Sequence, residues 1–222
     1  LGELTRRERA LCVAGTHGKT TTSTLIAHLL RQSAVDCHAF LGGISNNYKT
    51  NFLYSSHSDY AVIEADEFDR SFHHLSPYIA VVTSADPDHL DIYHTPEAYR
   101  ESFEHFTSLI SPEGALVMKK GIPVTPRLKD GTRLFTYTTD DEEADFRGDH
   151  IEIREGHLFF DWHYPALDGQ PAGTLHVELV VPLLINVENA VAAMAVAYLC
   201  GAQLDELSQG VASFRGVYRR FD

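Results

Sequence analysis

Residues 10–25 read ALCVAGTHGKTTTSTL. An apolar run, Leu11 to Ala14, meets a glycine. Thr-His-Gly-Lys-Thr follows, and then a hydroxyl-rich helix start. This resembles a phosphate-binding loop, whose usual spacing is Gly, four residues, then Gly-Lys-Ser/Thr. Counted back from Gly18, the first glycine should fall at position 13, but Val13 stands there and the glycine is Gly15. The loop is shortened on its strand side. Beyond Gly18, the residues Leu25, Ile26, Leu29 and Leu30 share one helical face. Strand, glycine turn and amphipathic helix in that order predict backbone amides of Gly15, Thr16, His17, Gly18, Lys19, Thr20 and Thr21 at a helix N-terminus, where an anion meets N–H groups and the positive end of the helix dipole. In such a loop Lys19 reaches the outer phosphates and the Thr20 hydroxyl faces Mg²⁺. A glycine turn carrying a solvated lysine is the plainer alternative.

Two more apolar runs end in acidic residues. Tyr60 to Ile63 leads into EADEFD, with Glu64, Asp66, Glu67 and Asp69. Tyr78 to Val82 leads, after a short link, into DPDHLD, with Asp86, Asp88, His89 and Asp91. A run of charge is ordinarily a solvated loop. Glu64 differs because it abuts the buried run, and a carboxylate at a strand end facing a phosphate loop suits a Mg²⁺ ligand. The second cluster lacks the glycine and the twelfth-position Glu of an EF-hand, so it is either a capped turn or, through His89, a second metal position. Thr95-Pro96 then predicts a helix start, with Tyr99, Phe103, Phe106 and Ile110 as its buried stripe.

Strands alternating with helices predict an α/β fold: a mostly parallel, phosphate-loop-type sheet flanked by helices. In such sheets ligands bind beyond the carboxyl ends of the strands. If the strands before Gly15, Glu64 and Asp86 are parallel neighbours, the polar clusters meet on one edge. From 132 to 181 the texture changes to TRLFTYT, HIEIREG, HLFFDWHY and TLHVELVV, which predicts a small antiparallel β patch. INVENAVAAMAVAYLCG (185–201) is an Ala-rich helix, with Asn186 as expected N-cap and Asn189 on the same face.

Composition narrows the partners. The chain has 222 residues, 44% of them hydrophobic and 22% charged, which suits one large domain with a packed core. The formal charge of −13 argues against a polynucleotide partner. A polyphosphate would need a local cation, a divalent metal, or both. Cys12, Cys37 and Cys200 are far apart and form no CxxC pair, which predicts buried free thiols in a reducing cytoplasm. No uninterrupted apolar 18-mer points to a membrane, and no H-x-x-x-H spacing points to a zinc hydrolase.

Taken in order, GTHGKTTT (15–22), EADEFDRSF (64–72), DPDHLDIY (86–93), NVENAVAA (186–193) and RRFD (219–222) resemble the central ATPase domain of the Mur ligases, nearest to the alanine-adding branch. The resemblance covers nearly the whole chain and is thinnest over 120–181. It implies ATP and Mg²⁺ as cofactors, UDP-N-acetylmuramate and L-alanine as substrates, and a reaction through an acyl phosphate. It also implies roles. Lys19, Glu64 and His89 become the catalytic group. Thr20 and Glu64 hold a first Mg²⁺ and His89 a second. Asn186 and Asn189 contact adenine, and Arg220 reaches nucleotide phosphate or ribose. Ile185 stands where the family often has His. No lysine follows the Asp-His motif at the place where several sibling ligases are carbamylated; Phe103 or Glu104 stands there, and Phe103 reads as core. His17 marks the ligase type without an assigned chemistry. The resemblance further implies that 1–222 is a central domain, with a uridine-diphosphate-binding domain before it and an amino-acid-binding domain after it, so that it binds Mg·ATP weakly and is inactive alone. The alternatives are another Mur-type or folylpolyglutamate-synthase-like ligase, or a nucleotide-binding module without chemistry.

Overall fold

Strand β1 (Arg9–Ala14) is buried from Ala10 onward, so both of its faces must be covered. Alternate residues then point to opposite sides: Leu11 and Val13 join one core, Ala10, Cys12 and Ala14 the other. A computed structural model describes residues 1–88, 90–140, 143–181 and 183–218. In chain order the elements are α1 (Gly2–Thr5), β1, α2 (Lys19–Arg31), β2 (His38–Phe40), β3 (Phe52–Leu53), β4 (Tyr60–Glu64), a 3-10 turn (Ser71–His74), β5 (Pro77–Val82), α3 (Leu90–Tyr93) and α4 (Pro96–Ser108). They continue with β6 (Ala115–Lys119), β7 (Arg133–Thr138), β8 (Phe146–Arg154), β9 (His157–Tyr164), β10 (Gly173–Leu179), α5 (Ile185–Leu199) and α6 (Leu204–Ser213).

All the strands join one 10-stranded sheet in the order β10-β9-β8-β7-β6-β5-β1-β4-β2-β3. β1 pairs parallel with β4 on one side and β5 on the other. The parallel run extends through β6 and β7 to the first residues of β8; only β2–β3 and β8–β9–β10 are antiparallel. The stretch 133–138, expected within the antiparallel patch, thus lies parallel to β6. Parallel neighbours usually need a crossover helix, and here residues 120–132 make the crossing without one.

One face of the sheet is covered by α2, α5 and α6. The other is covered by α4 and the aromatic cluster of Phe72, Tyr93, Tyr99, Phe103 and Phe106. Phe103 is fully buried, as its place on the apolar stripe implied. Thr95 caps α4 by accepting from the Ala98 amide at 3.1 Å, with Pro96 in the first turn. Helix α5 is buried around most of its circumference, and its alanines let it sit close against α2 and the sheet. All three cysteines are free; burial raises the thiol pKa of each, that of Cys200 to about 12. Among the described residues no helix is long and apolar enough to cross a membrane.

Candidate active site

Because β5, β1 and β4 are parallel neighbours, their carboxyl ends deliver the Gly15 loop, Glu64–Glu67 and Thr83–Asp88 to one edge of the sheet. The loop is tight. Gly15 has φ +141°, and a Cβ there would lie 2.0 Å from Thr83 Oγ1. The Thr83 hydroxyl donates to Ala14 O at 3.2 Å, and the His17 amide donates to Ser84 Oγ at 2.9 Å. Thr16 Oγ1 donates to Asp86 O at 2.8 Å and shares a 2.8 Å hydrogen bond with Tyr99 OH. Burial pushes the Tyr99 phenol up, which keeps it a neutral partner. The β5 end therefore clamps the loop from one side.

Gly18 begins α2 from the left-handed region at φ +82°. The first helical residues, Lys19, Thr20 and Thr21, follow at the positive end of the dipole. Lys19 Nζ donates to Gly15 O at 2.8 Å and to both Glu67 oxygens at 2.9 and 2.7 Å. Its side chain is 15% exposed and that of Glu67 only 1%. Thr20 Oγ1 donates to Glu64 Oε1 at 3.1 Å, and the other Glu64 oxygen accepts from the Gly42 amide at 3.1 Å. Thr21 is buried in the same turn. A hydroxyl and a carboxylate side by side at the mouth of the Gly15–Thr20 loop are hard oxygen donors of the kind Mg²⁺ takes.

Helix α5 closes the other side. Thr22 Oγ1 donates to Asn189 Oδ1 at 3.2 Å, and Asn189 Nδ2 donates to Asn186 Oδ1 at 3.4 Å. Gly18 abuts this pair so closely that a Cβ there would meet Asn189 Oδ1 at 2.6 Å. Asn186 is not the N-cap expected from the sequence. Leu184 holds that position without a side-chain cap, and Asn186 lies inside the first turn, 3% exposed. Its Nδ2 is buried with no hydrogen-bond partner among the described residues.

The structure thus brings Gly15, Thr16, His17, Gly18, Lys19, Thr20, Thr21, Glu64, Asn186 and Asn189 into one neighbourhood. The His17 ring is largely exposed, 3.9 Å from the Asp86 carboxylate. His89 and Arg220, with Arg219, lie outside the described residues. Sequence reasoning missed Glu67 as the partner of Lys19, Gly42 as the support of Glu64, and Thr83, Ser84 and Tyr99 as the clamp on the loop. A signal existed for Thr83 and Ser84. They are the first polar residues after the apolar run of β5, as Glu64 is the first after the Tyr60–Ile63 run of β4.

A family model described as the Mur ligase middle domain matches residues 13–197. The chain belongs to the Mur ligase family. Among curated relatives of this Mur ligase chain, the UDP-N-acetylmuramate–L-alanine ligase of Porphyromonas gingivalis strain W83 is 66% identical over 222 residues, 100% of this chain and 48% of that protein. The protein of the same name from Cytophaga hutchinsonii is 37% identical, over 100% of this chain and 47% of its own length. The chain spans about half the length of the curated relatives it matches. Among solved structures, the UDP-N-acetylmuramate-alanine ligase MurC of Thermotoga maritima superposes with a TM-score of 0.81 at 27% identity, over 99% of this chain and 48% of that one. MurF of Acinetobacter baumannii, at 19% identity and TM-score 0.74, covers 100% and 49% and shares the Mur ligase fold.

Proposed function

We propose that this chain is the nucleotide-binding middle part of an ATP-dependent ligase of peptidoglycan biosynthesis, acting in the cytoplasm, that joins L-alanine to UDP-N-acetylmuramate. The similarity to proteins of that name supports the reaction class. The observation that carries the reading is the convergence of Lys19, Thr20 and Glu64 at the mouth of the shortened loop. Binding of the uridine diphosphate and of the amino acid belongs, in this proposal, to the rest of the longer protein.

A carboxylate is a poor electrophile, and its phosphorylation brings two anions together. The strand ends that meet here are acidic in sequence, with Glu64, Asp66, Glu67, Asp86 and Asp88, and Lys19 is already paired with Glu67. A polyphosphate therefore needs Lys19 and a divalent cation together. Thr20 and Glu64 fit Mg²⁺, and His89 is the residue that the family resemblance gives to a second ion. When bound, Mg²⁺ offsets phosphate charge and stabilises the charge that develops in phosphoryl transfer. The chain's own residues do the rest. Amides of Gly15 to Thr20 receive the phosphates, and Lys19 exchanges its contact with Glu67 for the β/γ-phosphates. Asn186 Nδ2, buried without a partner among the described residues, supports the adenine contact, because a buried donor is costly until an acceptor meets it.

The test uses the longer protein that contains this chain. Lys19→Ala is expected to weaken ATP binding in calorimetry by roughly tenfold or more, through loss of a charge-assisted contact. Equal affinity would contradict the loop's role. His89→Ala should spare ATP binding and lower turnover by roughly 10²-fold or more. Unchanged turnover removes His89 from the mechanism.

A further inference from the structure

The outer face of the antiparallel arm carries a second cluster of ionisable groups, which shares no residue with the strand-end site. On this face Asp149 of β8 lies directly opposite Asp161 of β9, and Asp161 lies opposite His176 of β10. Like charges placed opposite one another across a strand pair repel. The sheet nevertheless draws these two carboxylates around one imidazole. His150 Nδ1 is 3.2 Å from Asp149 Oδ1 and 3.0 Å from Asp161 Oδ2. One ligand atom from each of Asp149, His150 and Asp161 falls within 4.8 Å of the others.

The backbone places them there. The pairing of β8 with β9 shifts register between Asp149 and Glu152, and His150 sits in the left-handed region at φ +47°. The bulge turns the His150 ring back onto the face that holds both aspartates. A supporting layer surrounds them. His163 Nε2 lies 2.8 Å from Asp149 Oδ1, and Arg147 Nη2 lies 3.1 Å from the other oxygen. His176 Nδ1 lies 2.8 Å from Asp161 Oδ1, and Thr174 Oγ1 shares a 2.9 Å hydrogen bond with His163 Nδ1.

We propose that Asp149, His150 and Asp161 form a binding site for a divalent first-row transition metal of the zinc class. The chemistry favours such an ion over Mg²⁺ or Ca²⁺, because an imidazole nitrogen stands among the carboxylate oxygens. The spacing suits it as well. Ligand atoms about 2.0–2.1 Å from a tetrahedral ion stand roughly 3.3 Å apart, close to the His150 contacts. Binding replaces the His150 Nδ1 proton, which leaves to solvent. His163, Arg147 and His176 stay on the carboxylates as orienting partners. The remaining coordination position opens to water. The ion ties β8 to β9 across the bulge. The ligands come from two strands, so no helical His spacing announces them.

The test is Zn²⁺ titration of the protein by calorimetry in millimolar Mg²⁺, added to compete at the strand-end site, together with Co²⁺ absorption spectra. The variants are Asp161→Asn, which removes one charged ligand, and His150→Asn, a residue that tolerates the left-handed backbone. Thr20→Val serves as the control for the strand-end site. The expected result is one Zn²⁺ per chain in wild type and Thr20→Val, an affinity at least tenfold weaker in both cluster variants, and loss of the Co²⁺ visible bands in those two only. Zn²⁺ should also raise the Tm of wild type and leave that of the cluster variants unmoved. Absence of stoichiometric Zn²⁺ in wild type, or affinities within twofold across the set, would overturn the assignment.

Discussion

Replacing Lys19 by methionine removes the counter-charge of a carboxylate that is 1% exposed. Lys19 Nζ stands 2.7 and 2.9 Å from the two Glu67 oxygens, so the pair is desolvated and close. Deleting one partner of a buried pair costs about 3–5 kcal/mol, because the other charge is left without compensation. Lys19 is 15% exposed, and water can reach the vacated position, which places this loss near the lower end, about 3 kcal/mol. Glu67→Gln keeps the shape and strands a lysine that can turn to the Gly15 carbonyl and to solvent, so its loss is smaller, roughly 1–2 kcal/mol. The double variant carries neither charge and should lose no more than Lys19→Met alone. Urea unfolding of the four proteins closes the cycle, with an expected coupling of about 2 kcal/mol. Losses that add to within about 0.5 kcal/mol would refute the reading of Lys19 and Glu67 as a mutually dependent buried pair.

Other perturbations separate the parts of the site. Thr20→Val and Glu64→Gln should each shift the Mg²⁺ dependence of ATP binding by roughly 10- to 100-fold, measured by titrating Mg²⁺ at fixed nucleotide; an unmoved midpoint takes that residue off the metal. Gly18→Ala puts a side chain at φ +82° with its Cβ 2.6 Å from Asn189 Oδ1, and should lower stability by about 1–3 kcal/mol; a Tm equal to wild type would contradict the close approach of the loop and α5. His28 is buried between Tyr48 and Ser213, each 2.9 Å from a ring nitrogen. Burial lowers its pKa from 6.5 to about 4. The unfolded chain then binds the extra proton first. Stability is full above about pH 6.5 and falls as the pH drops toward 4, by up to about 3 kcal/mol. His28→Gln should flatten that part of the pH–stability curve, and an unchanged slope between those values would exclude His28 as its source.

Much of the site was legible because the chain writes it at strand ends. Ala14, Ile63 and Val82 close apolar runs, and a glycine turn or polar residues stand directly after each. Parallel neighbours bring such ends together, so Gly15–Thr20 and Glu64 could be grouped before any geometry was known. Glu67 was not legible, since a run such as EADEFD reads as solvated charge. Its burial depends on the chain turning inward after β4, where Tyr93 OH donates to the Glu67 carbonyl. The direction of β7 was hidden for a similar reason. Period-2 alternation marks a strand without giving its sense, and the usual cue for a parallel neighbour, a crossover helix, is missing from 120–132. Asn186 carried a capping signal, yet the N-cap falls two residues earlier, at Leu184, and the amide turns inward toward Asn189.

The most direct test of the phosphate-loop assignment is a crystal structure of the protein with Mg²⁺ and a non-hydrolysable ATP analogue. The β- and γ-phosphates are expected on the amides of Gly15 to Thr20, with Lys19 Nζ moved from Glu67 onto them, and Thr20 Oγ1 and Glu64 on the metal at about 2.0–2.1 Å. A nucleotide bound away from this loop, or one that leaves Lys19 paired with Glu67 and no metal on Thr20, would contradict it.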